Sequence, residues 1–136
     1  MILPLILEPV VRIDGQGDGR FGASRGSRTH RGIDFICNPG GFVFAPCYGR
    51  VTKLGLPYAN SDYRYVEITD ALKNRHRLFY VRPLVAVNEL ITLRQIVGEA
   101  QDISLRYPSE EHPMSPHVHY EVISSTGDYL DPTSVA

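Results

Sequence analysis

An all-β fold is predicted by three features of this sequence. Short runs rich in Val, Ile, Tyr and Phe recur at close spacing, and clusters of Gly, Pro, Asn and Asp separate them. No stretch sustains a helical period. Many short strands broken by turn residues read as a small antiparallel sandwich or open barrel with long loops. The chain has 136 residues, a length that suits one domain.

The elements follow in order. Met1–Leu7 is apolar but short, lacks a basic start and a small-residue cleavage site, and runs into Glu8 and Pro9. It reads as a strand or arm over residues 1–19, not as a signal peptide. Residues 14–32 are rich in Gly, Arg and Ser and read as loop. Strands are predicted at Ile33–Cys37, Phe42–Ala45, Gly49–Leu54, Tyr63–Thr69, Arg77–Val81, Gln95–Glu99 and His117–Ile123, because β-branched and aromatic residues suit a pleated surface. Only Val85–Leu93 admits a helical reading, and strand plus turn fits its mixed pattern better. Residues 100–116 form a long polar loop with Pro108, Pro113 and Pro116, of a length that in a compact domain is often functional.

Composition excludes several classes. The net charge of −1 gives no broad attraction to nucleic acid or to an acidic membrane. No apolar run is long enough to span a bilayer, so membrane insertion is not expected. Arg20, Arg25, Arg28 and Arg31 cluster in the first loop and read as solvated side chains. Two cysteines, Cys37 and Cys47, make neither a disulfide scaffold nor a four-cysteine metal site. They could pair with each other if their strands are neighbours.

Chemistry concentrates around the histidines, of which there are five. Asp34 lies inside the apolar run Ile33–Ile36, where a strand points it away from Ile33 and Phe35. A carboxylate there needs solvent, a hydrogen bond or a cation. His30 stands just upstream, across Gly32, and the two side chains could converge on one ion. His117 and His119 flank Val118, so on a strand they share one face while Val118 takes the other. Imidazoles with a carboxylate suit Zn²⁺, and two His plus one carboxylate leave a fourth position open, the arrangement of catalytic sites. A His pair on a strand is equally compatible with an ordinary polar pair. Glu121, on the face of His119, reads as a solvated strand carboxylate, and Tyr80 as a core or surface strand residue.

Several motifs in one order separate these readings. They are Phe21-Gly22-Ala23-Ser24-Arg25, His30-Arg31-Gly32-Ile33-Asp34, Ala45-Pro46 with Gly49 and Val51, Leu78-Phe79-Tyr80, Val97-Gly98, Ser115-Pro116-His117-Val118-His119-Tyr120-Glu121-Val122, and Asp131-Pro132. Over residues 20–136 this series resembles the lysostaphin-type zinc metallopeptidases, endopeptidases that cut peptidoglycan cross-bridges. The resemblance implies one zinc ion held by His30, Asp34 and His119. It implies that His117 is a catalytic histidine acting on the attacking water or on the tetrahedral intermediate.

One position departs from the pattern. The family's "YxHL" strand carries a second catalytic histidine after the tyrosine, and here Arg82 takes that place. Arg cannot serve as a base near neutral pH, but a fixed cation can stabilise an oxyanion, so Arg82 enters the expected catalytic set in that role. The leukocyte cell-derived chemotaxins, a non-enzymatic branch of the fold, resemble this chain in detail: a basic residue and proline after the tyrosine, Pro57-Tyr58 after the Gly-x-Val strand, and the spacing around Ser115–His119. The expected function is a zinc-dependent endopeptidase on peptidoglycan peptide, with a zinc-stabilised binding or structural module as the alternative. Without an evident export signal, a virion or lysis partner and release to the cell wall or periplasm are the expected setting.

Overall fold

The structure, a computed structural model, describes residues 10–25 and 28–134. Among these every paired strand is antiparallel, no α-helix forms, and no barrel closes. Two small hairpins come first: β1 (Ile13–Asp14) with β2 (Gly17–Asp18), and β3 (Ser24–Arg25) with β4 (Arg28–Thr29). The main strands follow: β5 (Ile33–Ile36), β6 (Phe42–Phe44), β7 (Gly49–Gly55), β8 (Tyr65–Thr69) and β9 (Arg75–Phe79). Next are β10 (Val81–Pro83), β11 (Leu90–Ile91), β12 (Ile96–Ala100), β13 (His117–Ile123) and β14 (Tyr129–Leu130).

A seven-stranded sheet runs β11-β7-β8-β9-β13-β14, with β5 also pairing β13. A three-stranded sheet, β10-β12-β6, lies beside it. The core is built from the alternating inward residues of these strands, among them Val51, Val66, Ile68, Leu78, Val81, Val97, Val118, Tyr120 and Val122. Each predicted strand lies where a strand is found, with shifts of a residue or two at its ends. Val85–Leu93 contains only the short β11 and turns. The loop at 100–116 carries one 3-10 turn, Ile103–Arg106, pinned by the buried Ile103.

One local departure from the predicted elements and the docking of the first segment shape the cleft. The predicted strand Arg77–Val81 is interrupted at Tyr80, whose φ of +69° is left-handed. That residue forms the corner at which the chain leaves the large sheet as β9 and enters the small one as β10. The first segment, read as a strand or arm, lies against β5 in its described part. Of residues 1–19, the first nine lie outside the described residues. Residues 10–12 and Gly19 hydrogen-bond to β5 along its second edge, with Ile36 N–H donating to Val10 O, Arg12 N–H to Asp34 O and Asp34 N–H to Gly19 O. Cys37 and Cys47 are both free thiols. Burial pushes Cys47 up to about 12, so it stays protonated.

Candidate metal centre

The register of β13 brings the site together. His119 is the direct cross-strand partner of Asp34 on β5, and Glu121 the partner of Arg77 on β9. Alternation along β13 turns Val118, Tyr120 and Val122 into the core, all fully buried. His117, His119 and Glu121 face the opposite way and line one cleft. Asp34 obeys the same rule on β5, with Ile33 and Phe35 in the core and the carboxylate in the cleft.

His30 arrives from the loop between β4 and β5. Its backbone is tied to the neighbouring hairpin, His30 N–H donating to Ala23 O and Gly22 N–H to His30 O. Gly32 then lets this loop press against β13. A Cβ at Gly32 would lie 2.3 Å from Tyr120 O and 2.8 Å from His119 Cε1. The glycine is therefore required for close approach rather than for freedom to turn. We expect Gly32→Ala to displace His119 or the His30 loop. It should weaken zinc binding at least about tenfold, as loss of ligand support generally does. Competition with a chromogenic chelator measures this, and wild-type affinity in the variant would contradict it.

Three donor atoms converge. His119 Nδ1 lies 2.8 Å from Asp34 Oδ1, His30 Nε2 lies 3.2 Å from the same oxygen, and the two nitrogens are 3.1 Å apart. Tetrahedral zinc with bonds of about 2.0–2.2 Å separates its ligand atoms by roughly 3.3–3.5 Å. The donor triangle is slightly tighter than that, and its chemistry is right for zinc. The far nitrogen of each ring is occupied: His30 Nδ1–H donates to Arg20 O at 3.1 Å and His119 Nε2–H to Glu121 Oε1 at 2.9 Å. Those bonds aim His30 Nε2 and His119 Nδ1 at the shared point, the usual outer support of a metal-binding imidazole. Glu121 is thus a buried partner of His119, not a solvated carboxylate. Arg77 bridges Glu121 and Glu67 across three strands, with Nε donating to Glu67 Oε2 at 2.8 Å.

The charges shift accordingly. Burial pushes Asp34 up, but hydrogen bonds from His119 and His30 outweigh it and hold the carboxyl well below the usual range. Burial also disfavours a charged His119, yet its bonds to Asp34 and Glu121 win and raise it to about 9. His117 is held below its ordinary value by burial, against the pull of Asp34. Its Nδ1–H donates to Ser115 O at 2.8 Å, which leaves Nε2 unprotonated, 3.7 Å from Asp34 Oδ2.

The cleft holds about 580 Å³, a size suited to a peptide segment. Phe79 packs edge-on against His119 with ring centres 5.2 Å apart, and Tyr80 against His117 at 5.6 Å. Because Tyr80 sits at the left-handed corner, it follows Phe79 into the cleft instead of alternating away. It is therefore a residue of the site, not the ordinary strand residue that the sequence pattern suggests. Burial drives its phenol far above the ordinary value, so the hydroxyl keeps its proton.

Arg82 is not brought to this site. Its side chain is 57% exposed, ion-paired with Glu99 on β12, and absent from the cleft lining. The reason is alternation: Val81 fills the core, so its neighbour on β10 must face out. His76 and His112 do not replace it. His76 is fully buried on the core side, accepting from Tyr120 O–H at 2.7 Å and donating to Asp70 at 2.9 Å. His112 is exposed in the long loop.

Comparison with known proteins meets this geometry. No family model matches the chain. The chain is 29% identical over 126 residues to leukocyte cell-derived chemotaxin-2 of Mus musculus, covering 89% of this chain and 75% of that protein. Among solved structures, the catalytic domain of lysostaphin, an antimicrobial peptidase from Staphylococcus simulans, superposes with a TM-score of 0.61 at 21% identity, covering 85% of each chain. The chain has the lysostaphin-type peptidase fold. A mutant catalytic domain of the prophage-encoded M23 protein EnpA from Enterococcus faecalis shares it, with a TM-score of 0.66 at 18% identity over 96% of this chain and 93% of that one. Within the lysostaphin-type fold of this chain, His30, Asp34 and His119 form the one group of metal-binding character found among the described residues.

Proposed function

We propose that this chain is a zinc-dependent endopeptidase that cuts peptide cross-bridges of bacterial peptidoglycan. The observation that carries the reading is a set of three donors among the described residues, facing an open cleft beside an unprotonated His117 Nε2. Closed four-ligand sites serve structure, whereas three protein ligands leave a place for chemistry. His30, Asp34 and His119 would hold the ion, which supplies acidified water and polarises a carbonyl.

The chain's own residues complete the work. His117 Nε2 takes a proton from the attacking water and returns it to the leaving amine. Its Nδ1–H bond to Ser115 O keeps the ring in the right tautomer. Tyr80, protonated and next to His117, donates to the developing oxyanion in the role that Arg82 cannot fill from the far sheet. The similarity of the fold to an antimicrobial peptidase supports the substrate class. EnpA being prophage-encoded supports a virion- or lysis-associated setting with release to the cell wall.

Zymography on a panel of purified cell walls tests the reading. Zinc-loaded wild-type protein is expected to clear at least one wall type. His117→Ala should keep stoichiometric zinc and lose activity by about 10²-fold or more. A second reading, a zinc-stabilised module without catalysis, is favoured by the outward Arg82 and by the similarity to the chemotaxin. It prevails if no wall is cleaved while zinc still raises the melting temperature.

A further inference from the structure

Asp34 uses its two oxygens differently. Oδ1 faces the two imidazoles, while Oδ2 receives both Nε and Nη2 of Arg12, at 3.2 and 3.1 Å. Arg12 is only 3% exposed, and its third nitrogen, Nη1, donates to Asp14 Oδ1 at 2.8 Å. The other Asp14 oxygen accepts Ser115 N–H at 2.7 Å, and Ser115 O accepts His117 Nδ1–H. A continuous chain of hydrogen bonds therefore runs from Asp34 through the first segment to His117, and returns to the cleft 3.7 Å from where it began. Burying a guanidinium with two carboxylates is a poor way to gain stability alone, because desolvation offsets the attraction.

We propose that Arg12 and Asp14 are positioning residues of the metal centre. Arg12 engages Oδ2 with its fork, so Asp34 offers Oδ1 alone to the point where His30 and His119 meet. Asp14 locks that fork and carries the constraint to Ser115, and so to the orientation of His117. A carboxylate with both oxygens free can bind a metal through both and take up the place a substrate oxygen needs. The inference rests on the proposed zinc site, and it assigns to residues 12 and 14 a role in keeping that site open. Lysine cannot imitate the fork, since it brings the charge without the paired, planar N–H groups.

The test is the visible spectrum of the full chain loaded with cobalt(II) in place of zinc. Four-coordinate cobalt absorbs strongly and higher coordination weakly. Metal affinity alone discriminates less well, because removing a cation also removes a repulsion. Wild-type protein is expected to give the strong spectrum. Arg12→Met and Arg12→Lys should both lose most of its intensity while remaining folded by thermal melting. Asp14→Asn should shift the spectrum and move the His117 Nδ1–H proton resonance. Should Arg12→Met fail to fold, the lysine variant and Asp14→Asn carry the test. Spectra and resonance unchanged in the folded variants overturn the inference and leave the zinc site standing. Failure of wild-type protein to take up either metal removes the zinc site, and the inference with it.

Discussion

Asp34→Asn should abolish stoichiometric zinc binding and cost the zinc-stripped protein about 3–5 kcal/mol of stability. The amide fits the space of the carboxylate, so the effect is electrostatic. Asp34 is almost fully buried between the fork of Arg12 on one side and His119 and His30 on the other. Removing its charge leaves the buried Arg12 with Asp14 as its near anion, and the amide has a single oxygen where the carboxylate gave one to Arg12 and one to the imidazoles. Breaking one partner of a buried pair strands the other, which is far worse than replacing both. Elemental analysis reads the first effect and urea unfolding the second. A variant that holds zinc with the wild-type midpoint would dismiss Asp34 as a ligand.

Zinc affinity should rise about tenfold per pH unit as the solution approaches pH 9, then level off. His119 supplies the reason. Its hydrogen bonds to Asp34 and Glu121 raise it to about 9, so below that pH zinc must displace a proton from the ring. Between pH 7 and 9 the gain is about fiftyfold, measurable by chelator competition. The stability of zinc-stripped protein should move the other way. A histidine raised in the folded state stabilises fully below its unfolded value near 6.5, and that contribution fades as pH climbs through 9. The loss is on the order of 3 kcal/mol. Asp34 has the opposite sign, its contribution being lost only in strong acid because its folded value is depressed. Zinc-saturated protein should show little of the alkaline loss. A flat affinity profile over this range would contradict the charged imidazole.

Much of the site is legible in the sequence because it obeys a two-residue period. His117 and His119 around an apolar Val118, and a lone carboxylate between Ile33 and Phe35, announce their faces directly. Their meeting does not follow from any local pattern, since it depends on the register of β5 against β13, a pairing across 85 residues. Motif order supplies that contact through resemblance. Arg82 shows the limit of the same resemblance: it fixes a position in the series but not a face, and Val81 decides the face. That signal is present in the sequence, because a β-branched residue next to a charged one on a strand tells which of them is buried. Tyr80 is hidden by its left-handed corner, which breaks the alternation that any strand reading assumes. Arg12 is hidden because it lies in the first segment, read only as a strand or arm with no chemistry assigned, although its apolar neighbours Val11 and Ile13 hint at pairing.

The position of β13 between β9 and β5 also sets an order of events during assembly. Among the described residues β5 joins the large sheet through β13 alone, so Asp34 and His30 do not meet His119 until that late strand has slotted in. Contacts that close so long a loop form slowly, because the intervening chain must first surrender its freedom. A nascent chain therefore gathers its full set of candidate ligands late, and a metal ion that needs all three would bind as the seal on a nearly finished sheet rather than as the seed of one.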